Sequence, residues 1–194
     1  MQLLRMFSTE KYKGTRGFLR TQKKYEILRT CIYFAISLSL FIAGYAATKS
    51  RLNLLTIVAV LGCLPASKSA VEMIMFLRFH GCGEETADKL EAHSGGLSCL
   101  FDMVFTSYQK NYCIAHLAVK GNTVCGYTQD ASLNEVAFYK HLDGILKTDG
   151  FKGVSVKIFK DLSKYTARLE QMKELDAEDT NTAGIIASLK SVSL

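Results

Sequence analysis

Five residues in the second half of the chain carry side chains that acid–base or metal chemistry uses: Asp102, His116, Lys120, Cys125 and Tyr127. Whether they meet depends on strand pairing. Cys99–Tyr108, Tyr112–Lys120 and Thr123–Thr128 alternate in polarity and are rich in β-branched and aromatic residues, so they read as strands. Gly121-Asn122 is a two-residue hairpin signal. Across it Lys120 pairs with Thr123, setting Cys125 beside Ala118 and Tyr127 beside His116. With Gln109–Asn111 as the preceding turn, Tyr108 pairs with Tyr112 and Asp102 faces Ala118, with His116 and Lys120 as diagonal neighbours. One face would then gather all five residues, and Phe101, Met103, Phe105, Leu117 and Val119 would form a core on the other.

Asp102, His116 and Lys120 are therefore the candidate catalytic residues. The simpler expectation is structural: an Asp102–Lys120 salt bridge, a hydrogen-bonded His116 and a buried Cys125 packing as a small hydrophobe. A zinc site from Asp102, His116 and Cys125 lacks the short ligand spacing such sites use, so neither metal nor cofactor is expected. His80 and Cys82, in the sequence HGCG, read as a linker. No phosphate-loop, dinucleotide, kinase, nucleophile-elbow or HExxH pattern is present.

The elements that must position these residues follow from local signals. Glu84–His93 reads as a short helix stopped by Gly95-Gly96. Ser132 with Glu135 forms a capping box opening a helix with Phe138, Leu142, Ile145 and Leu146 on one stripe. Val154–Phe159 is a strand, and Asp161 caps a helix whose Leu162, Tyr165, Leu169 and Met172 share a face. Charges around Asp176–Asp179 mark a loop before a last helix, Thr182–Ser191. The fold class is α/β (α+β): helix, three-stranded meander, helix, a strand reached by the helical crossover, then two helices.

That order resembles the core of the restriction-endonuclease-like (PD-(D/E)XK) fold over about 80 residues, 84–160. The resemblance implies a metal-dependent nuclease centre in which Asp102 matches the first acid and Lys120 the lysine. The residue two before Lys120 is Ala118, where the family has an acid, and the proline before Asp102 is missing. Glu85 or Glu91 would have to supply the second ligand from the first helix. With one carboxylate of the pair gone, the resemblance implies a degenerate, non-catalytic member.

The first half of the chain is of another kind. The protein has 194 residues and a net charge of +6. All of that excess lies in residues 1–29, where Arg5, Lys11, Lys13, Arg16, Arg20, Lys23, Lys24 and Arg29 face only Glu10 and Glu26. Residues 30–194 hold sixteen cations and sixteen acids, a balance that argues against nucleic acid as a partner. Residues 30–48 are free of charge, and as a helix would span ~28 Å, close to a hydrocarbon core. A second run, 52–66, is short at ~22 Å unless Pro65 kinks the helix and it continues as far as 79.

The expected organisation is a basic segment (1–29), a transmembrane helical hairpin (30–79) and a cytoplasmic domain (80–194). Flanking cations place both termini in the cytoplasm of a multi-pass plasma-membrane protein, with Tyr25, Tyr33 and Tyr45 near the interfaces. A cleaved signal peptide, a mitochondrial presequence (and with it a mitochondrial membrane) and two buried soluble helices are the alternatives weighed. Ala35, Ser39, Ala43 and Ala47 on the first span, and Gly62, Ala66 and Ala70 on the second, form small-residue stripes for close packing. Neither span is expected to hold a buried ionisable residue, which argues against a channel or transporter. The functional expectation is a membrane-anchored, non-catalytic interaction domain whose partners are the lipid bilayer and a protein or second copy. Leu162–Leu175 and Thr182–Ser191 would be its contact surfaces. The other reading is a membrane-tethered nuclease or nucleic-acid-binding domain.

Overall fold

A computed structural model describes residues 10–50, 53–107, 110–175 and 179–194. It is a mixed α+β protein with six α-helices and one four-stranded mixed sheet among those residues. By contacts it divides into two units, Leu19–Phe79 and Glu10–Phe18 with His80–Leu194. The stretch read from sequence as one basic segment is thus divided, with Glu10–Phe18 grouped with the C-terminal part.

The first unit is built on α1 (Phe18–Thr48) and α2 (Leu54–Arg78). Both are long and apolar enough to cross a membrane. The basic residues from Arg20 to Arg29 lie on α1 itself, since nothing between Phe18 and Thr30 breaks a helix. Helix α2 runs through Pro65 and reaches ~37 Å, long enough where the uninterrupted apolar run was short. The ring removes only the N–H that would serve the Leu61 carbonyl, and the helix continues beyond it, with Ser67 Oγ also donating to the Cys63 carbonyl at 2.7 Å. Asn53 caps α2, accepting from Thr56 N at 2.8 Å. Arg51 and Leu52, in the connecting loop, lie outside the described residues.

The two helices meet through small and polar side chains. Thr30, Ser37 and Gly44 of α1, seven apart, are buried, as are Ala59, Ala66 and Ser69 of α2. A methyl group on Gly62 would lie 2.8 Å from Ser37 Oγ, so these backbones approach as only glycine allows. The α1 stripe expected from sequence is elsewhere: Ala35, Ser39, Ala43 and Ala47 are all exposed. A spacing of four drifts around a helix with 3.6 residues per turn, whereas the spacing of seven stays close to one face.

The second unit holds α3 (Glu84–His93), β1 (Ser98–Thr106), β2 (Asn111–Lys120), β3 (Thr123–Tyr127), α4 (Glu135–Thr148), β4 (Ser155–Phe159), α5 (Leu162–Lys173) and α6 (Thr182–Val192). The sheet order is β1-β2-β3-β4, antiparallel except for β3 and β4, which the α4 crossover makes parallel. One face packs on α4 and α6 through Leu100, Ile114, Leu117, Phe138, Leu142 and Ile185. The other packs on α3 and α5 through Phe101, Cys125, Leu90, Tyr165 and Leu169. The apolar sides of α5 and α6 pack on the protein's own sheet.

Two local details differ from expectation. Asn134 caps α4, accepting from Ala137 N at 3.1 Å, while Ser132 sits in an Asp130 turn with its N–H 2.8 Å from Asp130 Oδ1. An Asn adjacent to the first helical residue outcompetes a Ser two positions earlier. The charged loop at 176–178 and the tip of the β1–β2 loop, Tyr108 and Gln109, lie outside the described residues.

Strand β1 is an edge whose outer side is covered by chain from both directions. Phe101 N donates to Gly14 O at 2.9 Å, and Leu194 N to Val104 O at 2.9 Å. Lys13 Nζ binds the Ser193 carbonyl at 2.6 Å and the Lys190 carbonyl at 3.3 Å. Arg16 adds ion pairs to Asp88 (2.6 Å) and Glu91 (2.8 Å) of α3. Such cover leaves fewer main-chain groups for another strand to find.

Candidate functional site

The β2–β3 register is the one expected: His116 pairs with Tyr127, Ala118 with Cys125 and Lys120 with Thr123. The β1–β2 register is three residues away from the expected one. Phe105, not Tyr108, pairs with Tyr112, and Ser107 N closes the loop on Lys110 O at 3.1 Å. Asp102 consequently stands opposite Ala115, not Ala118, and five positions along the ladder from Lys120, ~16 Å at strand rise. The expected Asp102–Lys120 pair is not formed by this register.

Asp102 has a φ of +54° in the middle of a strand, a conformation that disfavours most side chains by about 1–2 kcal/mol. It shifts the strand's alternation by one step, so that Phe101 joins the α3–α5 side while Met103 joins the α4–α6 side. Phe101 and Met103, both expected in one core, are separated by this step. The Asp102 side chain is buried, and its Oδ1 accepts from Cys82 N at 2.7 Å. A methyl group on Gly81 would lie 3.1 Å from both carboxylate oxygens. The HGCG segment is thus folded onto this carboxylate, which holds a loop.

His116 is fully buried, with Nδ1 2.7 Å from Tyr165 Oη. The Tyr165 hydroxyl donates to the Cys125 carbonyl at 3.3 Å. This chain is satisfied by the Nδ1–H tautomer, leaving Nε2 an acceptor without a hydrogen-bond partner among the described residues. The Phe101 ring lies edge-on at 4.5 Å, and Tyr127 stacks on Tyr165 at 5.8 Å. Burial lowers the His116 pKa to about 4, so the ring is neutral at physiological pH. Burial likewise pushes the Tyr165 phenol well up.

The remaining candidates have local partners. Lys120 Nζ donates to the Lys173 carbonyl at 2.9 Å, placing a cation at the C-terminal end of α5. Burial raises the Cys82 and Cys99 thiols to about 11 and the Cys125 thiol upward too, keeping all three protonated and weakly nucleophilic. Glu91 binds Arg16, and Glu85 is exposed on α3. Among the described residues no three His, Cys, Asp or Glu side chains converge as metal ligands. The face read as chemical is a packed hydrogen-bonded chain in which Tyr165, from a helix far along the sequence, is the residue pattern reading missed.

The first unit holds a second polar cluster, also unforeseen. The Arg29 guanidinium bridges Glu26 of α1 and Glu72 of α2, and Nε lies 3.3 Å from Ser69 Oγ. Thr30 and Ser69 share a hydrogen bond at 2.8 Å, and Gln22 Nε2 donates to Glu26 Oε1 at 2.8 Å. The ionisable pair absent from expectation is therefore present at one end of the apolar run. Its signal was the spacing of Gln22, Glu26, Arg29 and Thr30 along one helix face, visible once α1 is started at Phe18. Nearer the middle, Phe34, Ser37, Leu38, Phe41, Ala59, Val60 and Cys63 line an apolar groove of about 220 Å³. No family model, curated protein or solved structure matches this chain.

Proposed function

We propose that the chain is a membrane-anchored, non-catalytic interaction protein: a helical hairpin inserted in the bilayer, carrying an α+β domain that engages a protein partner. One observation carries the anchor. The hairpin turns its apolar side chains outward, with Leu38 60%, Leu54 76% and Leu64 69% exposed, and its polar ones inward. In water that arrangement would be strongly unfavourable; in lipid it is the stable one. The packed, neutral interior around His116 supports a domain that binds rather than catalyses.

The flanking cations orient the hairpin with both termini on the cytoplasmic face of the plasma membrane. Nothing in the placement of Asp102 and Lys120 favours the nuclease alternative. Alkaline carbonate extraction tests the anchor: retention in the membrane pellet is expected, and release of intact protein overturns it. Impermeant maleimide tests the orientation in cells, with labelling expected at Lys49→Cys and none at Lys152→Cys. Affinity capture from detergent extracts tests the interaction role, with a stoichiometric protein partner or a second copy expected; a bare monomer opposes it.

A further inference from the structure

We infer that the end of the hairpin carrying Lys23, Lys24 and Lys68 is a binding surface for anionic phospholipid headgroups; this rests on the membrane-anchor reading. The contacts Thr30–Ser69 and Ser37–Gly62 set the antiparallel register of the two helices. In that register Lys23 lies level with Phe76, and Lys68 level with Cys31, ~12 Å nearer the middle of the hairpin. Arg20, Lys24, Lys68 and Arg78 are exposed and Lys23 is half-buried.

The acids cannot cancel this charge. Between Leu19 and Phe79 the sequence has two, Glu26 and Glu72. Both are engaged by Arg29, the Glu26 side chain is only 3% exposed, and Lys68 Nζ, on an 82% exposed side chain, stands 4.0 Å from Glu72 Oε1. Arg20, Lys23, Lys24, Arg29, Lys68 and Arg78 at this end outnumber those two acids by four, so the cluster takes up only part of the positive charge. Exposed Ile27, Val71, Ile74 and Leu77 lie among those cations. A partner must offer negative charge and hydrocarbon at the same depth. Lysine stems lying along acyl chains, with ammonium groups at the headgroups, meet both demands, whereas a nucleic acid meets only the first.

The test uses the full chain in phosphatidylcholine vesicles containing a minority of phosphatidylglycerol. Spin-labelled phosphatidylglycerol and spin-labelled phosphatidylcholine are compared for the fraction immobilised by protein. Preferential immobilisation of phosphatidylglycerol is expected, by as much as ~5-fold per cation engaged, and high salt should reduce it. The triple variant Lys23→Gln, Lys24→Gln, Lys68→Gln should bring the ratio close to one, with helicity unchanged by circular dichroism. Lys152→Gln with Lys157→Gln, both on the other unit, should leave it as it was. Equal immobilisation of the two lipids, or a triple variant that keeps its preference, overturns the inference while the anchor reading stands. Loss of the protein from vesicles on a carbonate wash overturns both.

Discussion

In the hairpin, Leu38, Leu54 and Leu64 face outward while Glu26, Thr30 and Ser69 are buried. In the α+β unit Leu100, Leu117 and Leu142 are buried, and the large hydrophobics exposed among the described residues there are Val136, Tyr139 and Leu175. Each unit also keeps a hydrogen-bonded side-chain cluster inside, and the two clusters differ in kind. The hairpin holds full charges, Arg29 between Glu26 and Glu72. The domain holds a neutral chain, His116–Tyr165–Cys125 carbonyl. In the proposed membrane setting, charges cross-link two helices that lipid would not otherwise force together. A core already driven by apolar burial keeps its side-chain pair neutral and holds the one buried carboxylate described above, Asp102, against the Cys82 N–H.

That contrast can be broken experimentally, and the largest effect is expected in the hairpin. Arg29→Leu strips the counter-charge from buried Glu26 and should destabilise the helix pair by about 3–5 kcal/mol. Amide exchange along α2 in nanodiscs would report it. Replacing Glu26, Arg29 and Glu72 together by Leu should recover most of the loss. If the single and triple variants exchange alike, the cluster is not a charge clamp.

Next comes pH. His116 has its pKa lowered to about 4 in the fold against an ordinary value of 6.5. The unfolded chain binds the proton first, so stability is full above pH 6.5 and is lost as pH falls toward 4. The whole window is worth roughly 3 kcal/mol. Exchange of the β2 amides should accelerate over that range, and His116→Gln should flatten the dependence. A wild-type profile flat between those values would contradict the buried neutral ring.

Smaller effects test single contacts. Asp102→Ala should cost about 2 kcal/mol through the lost charge-assisted bond to Cys82 N, and Asp102→Asn should recover much of it. Faster proteolysis within His80–Gly83 is the readout. At the bottom of the scale, Ala43→Leu adds bulk to an exposed hairpin position and should shift stability by less than about 0.5 kcal/mol. Ala66→Leu, one helix over and fully buried, should overpack by about 1–3 kcal/mol.

Much of the architecture was legible because its signals are local. Glu84–His93 begins and ends where expected, Asp161 caps α5, and Gly121-Asn122 sets the β2–β3 register. What could not be read depends on groups distant in sequence. The left-handed Asp102 is held by a loop twenty residues earlier, and it changes which side of the sheet its neighbours face. Tyr165 reaches His116 from a helix that has its own complete amphipathic pattern, so nothing local marks its hydroxyl as special. The Arg29 clamp is invisible to a reading that starts the helix with the apolar run at residue 30, because helical hydrogen bonding is indifferent to where hydrophobicity starts. The expected β2–β3 pairings are therefore present, while the β1–β2 register differs by three residues and moves Asp102 away from Ala118.

The cover on β1 bears on how the protein can be dissected. A fragment starting at residue 80 looks like a natural cut, since it removes the hairpin and keeps every strand. It would also remove Gly14, which accepts from Phe101 N, and Lys13, which ties down the carbonyls of Lys190 and Ser193. Arg16 and its two acidic partners would be parted as well. Such a fragment would expose half a sheet edge and loosen the last helix, inviting self-association through β1. Supplying residues 10–18 as a separate peptide should quench that stickiness.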